Sequence, residues 1–155
     1  MTRKPGQEEQ ALDAELKRLE TALVTPLVPG ELDRWVGEAQ QAASAVQSAL
    51  EKFTKDILHA QYAEIGKSDP ELLPRVEALI EEDQQLLADL QKVRAALAEI
   101  VTRLPEARKD EKLIQPEIGQ AEKVGTRFVV RVRKQMIAAG TWLDEALFRD
   151  RGPVD

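Results

Sequence analysis

PELLPRVEALIEEDQQLLADLQKVRAALAEIVTRL, residues 70–104, decides the fold. Within it Val76, Leu79, Asp83, Leu86, Leu90, Val93, Leu97, Ile100 and Leu104 follow one another at steps of three and four without interruption. That spacing keeps all nine on one stripe of an α-helix, which must lie against other helices along roughly 50 Å at 1.5 Å per residue. Eight of the nine are apolar; the exception is Asp83.

Upstream, Leu12, Leu16, Leu19 and Leu23 form a shorter amphipathic stripe, and Pro26, Pro29 and Gly30 mark the turn that follows it. The next seam is Leu32, Trp35, Ala39, Ala42, Val46, Ala49, Phe53, Asp56 and Ala60, closed by Gly66. Ser68-Asp69-Pro70 supplies a cap and a proline for the helix of the central stretch, which begins at Pro70 or at Pro74. Downstream, Pro105 to Pro116 is polar and is expected to be a flexible loop with some helical character. The last seam reads Ile118, Ala121, Gly125, Phe128, Val132, Gln135, Ala139, Trp142 and Ala146, after which the tail is expected to fray. No segment alternates with period two. The fold class expected is all-α, an antiparallel up-down-up-down four-helix bundle with a short first helix. It is expected to be a single domain over 1–155 with helices about 8–24, 31–65, 70–104 and 116–148.

Composition fits this reading: apolar residues are 43%, charged residues 32% and aromatics only 4%, so alanine and the aliphatics must fill the core. Cysteine is absent, which removes disulfides, thiolate metal sites and cysteine nucleophiles. The formal charge of -6 argues against a nucleic-acid partner. With no signal-peptide pattern and no apolar run near the roughly 20 residues of a membrane span, a soluble cytoplasmic protein with no membrane partner is expected.

Three seams each contain one polar residue, Asp56, Asp83 and Gln135. Asp83 stands thirteen residues into its helix from Pro70 and Gln135 thirteen before Phe148, so antiparallel packing brings them to one depth, with Asp56 within about a turn. Lys52, one turn before Asp56, shares its flank. A buried cluster is expected in which the Lys52 ammonium lies between two carboxylates and the Gln135 amide bridges them.

The ordering of helices, Lys-Phe-Thr-Lys-Asp at Lys52 to Asp56, the run from Leu73 to Leu87 and the ending Asp144 to Gly152 resemble the hemerythrin-like (HHE cation-binding) domain. That resemblance implies a di-iron centre in the bundle core, held by His-Phe-x-x-Glu on the second helix and by histidines on the third and fourth. In this chain the positions that match hold Lys52, Asp56, Asp83 and Gln135, with Ala139 one turn later, so no imidazole is present among them. The first helix is also too short to reach the layer. The expectation is a bundle of this type without metal, non-enzymatic, with no cofactor, acting as a binding or structural module. The alternatives are an oxygen- or iron-sensing or redox protein whose remaining carboxylates hold iron, and a phosphate or nucleic-acid binder.

The last alternative rests on Lys123, Arg127, Arg131 and Lys134, with Arg133 beside them, a basic ridge expected to pair with acids such as Glu81 or Glu82. His59, the sole histidine, falls off its seam and is expected to face solvent. Trp142, Leu143, Leu147 and Phe148 cluster near the end of the last helix. They are candidates for facing a protein partner or a second copy of the chain.

Overall fold

The computed structural model describes residues 6–151, with side chains to Leu147. Six α-helices follow in order: α1 (Gln7–Val24), α2 (Leu32–Lys52), α3 (His59–Ser68), α4 (Leu73–Thr102), α5 (Leu104–Lys109) and α6 (Gln115–Arg151). A π-helical turn, Phe53–Leu58, joins α2 to α3 without a break, and 3-10 turns at Pro70–Leu72 and Glu111–Ile114 lead into α4 and α6. There is no strand among the described residues, and no helix is long and apolar enough to cross a membrane.

α1 packs on α2, α2 on α4, α4 on α6 and α6 on α1, so the four longest helices close a ring around one core. Leu12, Leu16, Leu19 and Leu23 of α1 are all buried in it, as are the α4 stripe from Val76 to Ile100 and Ile118, Ala121, Phe128 and Val132 of α6. The middle of α2 meets its neighbours through Ala39, Ala42 and Ala43, whose small side chains let helices approach closely. α1 packs tightly on α6 at Gly125, where an added Cβ would collide with Leu23 Cδ1. A glycine there is what lets Leu23 seat.

Polar contacts fix how the helices pair along their lengths. Gln91 of α4 donates to Gln47 of α2 at 3.3 Å, and Arg94 bonds the same amide oxygen. Arg131 of α6 pairs with Asp89 of α4, while Arg133 reaches Glu20 and Asp13 of α1 at 3.3 and 3.6 Å. The connector after α1 turns at Gly30, whose φ of 88° suits a residue without a side chain, and its N–H donates to Glu111 Oε1 at 2.8 Å. Trp35 Nε1 donates to the Thr25 carbonyl at 3.1 Å and closes that corner.

The segment after Pro105, expected to be a flexible loop with some helical character, is helical over most of its length. It winds into α5 and a 3-10 turn that bury Ala107 and Ile114, with Asp110 accepting from the Lys112 N–H at 3.0 Å. At the start of α4, Pro70 opens a 3-10 turn capped by Asp69, and Pro74 falls in the first turn of the α-helix, where it removes no hydrogen bond.

Candidate functional site

The second seam departs from its expected course at Phe53. A regular helix would carry Asp56 and Ala60 inward; both are exposed, and Thr54, Leu58, Tyr62 and Ile65 are buried instead. The reason is the π turn, in which His59 N–H bonds the Thr54 carbonyl five residues back. Its wider loop absorbs one extra residue and rotates everything after it by about 100° relative to an α-helix. Thr54 assists, its hydroxyl donating to the Leu50 carbonyl at 2.9 Å and competing for the helical ladder. Electrostatics favours the outcome, because Asp83 is already buried on α4 and a second inward carboxylate opposite it would repel.

The same rotation turns His59 towards α4. Its Nε2 is buried and stands 3.5 Å from Asp83 Oδ2, so the expectation of a solvent-facing histidine is corrected; the imidazole as a whole is 27% exposed and Asp83 only 2%. Tyr62 packs beside it, ring centres 6.1 Å apart, and Trp142 of α6 meets the other side of Tyr62 edge-on at 6.1 Å.

No donor reaches either Asp83 oxygen with good hydrogen-bond geometry. Burial therefore pushes its carboxyl up to about 6; the Gln135 amide draws it back in part and the neighbouring Glu82 charge adds to the rise. The same amide is committed elsewhere, with Gln135 Nε2 donating to Glu82 Oε2 at 3.0 Å. His59 is held below the usual imidazole range, first by burial and then by the Lys55 charge one turn back. Two titratable groups whose burial disfavours their charged forms thus face each other in one layer.

Of the four residues expected to cluster, only Asp83 and Gln135 come together. Lys52 and Asp56 are exposed, and among the described residues no ion pair or hydrogen bond joins either to Asp83. The ammonium between two carboxylates does not form, because the π turn directs Asp56 outward. His59, which no seam position marked, is the residue that sequence spacing missed. The signal that could have found it is the five-residue step from Phe53 to Leu58, after which apolar residues resume at Tyr62 and Ile65 by steps of four and three.

As a metal site the layer offers one imidazole and one carboxylate, and no group of three or more His, Cys, Asp or Glu side chains converges among the described residues. That donor set does not fit a di-iron centre, which takes several carboxylates and imidazoles.

Elsewhere, a cleft of about 750 Å³ lies between the two connectors at the Gly30 end. Arg108, Lys109 and Lys112 on its walls are matched by Asp33, Asp110 and Glu111, and Arg108 pairs with Asp33 at 3.4 Å, so it selects neither charge. The candidate partner-facing group at the end of α6 divides. Leu143 is buried, Trp142 half-buried against Tyr62, Leu147 45% exposed, and the Phe148 side chain lies outside the described residues. The basic ridge divides as well, since Arg131 and Arg133 turn to Asp89, Asp13 and Glu20 and not to Glu81 or Glu82.

Compared with protein-family models, with curated proteins and with solved structures, the chain matches none.

Proposed function

We propose that the chain is a hemerythrin-like, antiparallel up-down-up-down four-helix bundle without a di-iron site, working in the cytoplasm as a non-enzymatic binding or structural module. The bundle topology is supported by the closed ring of neighbours and by cross-helix pairs whose numbers run in opposite directions. Gln91–Gln47 and Asp83–His59 do so for α4 against the continuous run of α2 and α3, Asp89–Arg131 and Glu82–Gln135 for α4 against α6. One observation carries the functional part. At the layer where the resembling domains hold iron, Lys52 and Asp56 face solvent and only His59 and Asp83 converge.

Elemental analysis of protein purified without chelators tests this. Iron far below one atom per chain, with no near-ultraviolet charge-transfer band, is the expected result. Stoichiometric iron with such a band would overturn the reading and favour an iron-dependent sensor or redox protein.

A further inference from the structure

α6 carries a second stripe, on the side away from the core. Lys123, Arg127, Val130, Lys134, Ile137 and Thr141 follow at steps of four and three, and all six are exposed. Val130 is 47% exposed and Ile137 71%, seven residues apart, so two aliphatic side chains stand in water two turns from each other. A stripe with this period stays aligned with a neighbouring helix for its whole length, here about 27 Å at 1.5 Å per residue.

Its charge is as distinctive as its period. From 123 to 141 α6 holds five cations, Lys123, Arg127, Arg131, Arg133 and Lys134, and no acid, within a chain of formal charge -6. Arg131 and Arg133 are neutralised by α4 and α1. Lys123, Arg127 and Lys134 have no ion pair among the described residues, and they flank Val130 and Ile137. Val130 also lines a shallow groove with Thr126, Arg127, Arg131 and Lys134, a seat for a side chain from outside.

We propose that this face of α6 docks an acidic amphipathic helix of another protein, with aliphatic residues seven apart meeting Val130 and Ile137 and carboxylates meeting Lys123, Arg127 and Lys134. Charge decides the occupant. A second copy laid on the same stripe would set these cations against their own kind, and a nucleic acid would find no aromatic side chain on the stripe to stack on. A membrane surface would need a broad apolar face rich in large side chains, and this stripe offers only Val130 and Ile137. The inference gives a surface to the binding-module reading and rests on it only to that extent, since metal content tests that reading and peptide binding tests this one.

The test is a titration of the full-length, ¹⁵N-labelled protein with a synthetic 21-residue helical peptide. The peptide has leucines seven residues apart, glutamates at the other positions of the same stripe and alanine elsewhere. Amide shift changes confined to residues 120–141 are expected. Affinity should fall at least about tenfold in Ile137→Glu and in Lys134→Glu, and it should weaken between low and high salt. Both side chains are exposed, so the variants fold. The proposal is overturned by absence of shifts at millimolar peptide, or by equal binding of the peptide with lysine for glutamate. It is equally overturned if vesicles containing phosphatidylserine occupy the stripe and the acidic peptide does not, or if the chain dimerises through it.

Discussion

A carboxylate in an apolar layer makes stability depend on pH, and Asp83 and His59 pull that dependence in opposite directions. Asp83 is raised to about 6 from 3.8, so its contribution is fully present below pH 3.8 and is lost as pH rises through 6. His59 is lowered, so its contribution is present above its ordinary value of 6.5 and is lost as pH falls through the lowered one. Rising pH therefore costs stability through Asp83 between about pH 4 and 6 and restores some through His59 as it approaches 6.5. Asp83→Asn removes the first contribution. Its stability relative to wild type should improve from pH 4 to pH 7 by about 2–3 kcal/mol, since each tenfold difference in proton affinity between the folded and unfolded chain is worth about 1.4 kcal/mol. Urea denaturation of both proteins at the two pH values measures it, and parallel curves would mean that Asp83 titrates normally. Because His59 is the sole histidine, its imidazole proton resonances can be followed without ambiguity and should titrate below 6.5.

The π turn is the element on which the site depends. It carries one residue more than an α turn would need, so removing one residue within it should restore regular helix while leaving both flanks in place. Deletion of Lys55, which is exposed, is expected to keep the fold with a loss of about 1–2 kcal/mol. Deletion of Ser48, also exposed but in regular helix, should misphase α2 beyond that point and cost more than about 4 kcal/mol, or prevent folding. Thermal melts by circular dichroism distinguish the two, and equal damage would count against the π register. The same element marks the limit of what sequence could tell. The α4 stripe was readable from Val76 to Ile100, Asp83 included, because an unbroken 3–4 period has one solution on a helix, whereas Leu104, expected at its end, opens α5. The α2 seam was readable to Phe53 and wrong at Asp56 and Ala60, because an uninterrupted 3–4 period was carried across the five-residue step to Leu58, Tyr62 and Ile65. His59 was hidden by the same shift, and so was its pairing with Asp83.

At the scale of the whole molecule, the all-helical class with four long helices followed from composition and four apolar stripes, since no segment alternates with the period of a strand. What lay beyond reach was the choice of salt partners, as with Arg131 finding Asp89, because long charged side chains reach several neighbours at similar cost. The positions of the two tryptophans have a consequence for measurement. Trp35 is bonded to Thr25 at the connector end, and Trp142 sits against Tyr62 beside the Asp83 layer. Trp35 and Tyr62 are separated by about 40 Å of helix at 1.5 Å per residue. The molecule thus has an optical reporter at each extremity. Emission from Trp142, isolated in Trp35→Phe, should follow protonation of the His59–Asp83 pair, while emission from Trp35, isolated in Trp142→Phe, should stay constant over the same pH range. In a stopped-flow experiment the same two variants clock the arrival of each extremity separately, so the order in which the corners assemble is readable by fluorescence with no dye attached.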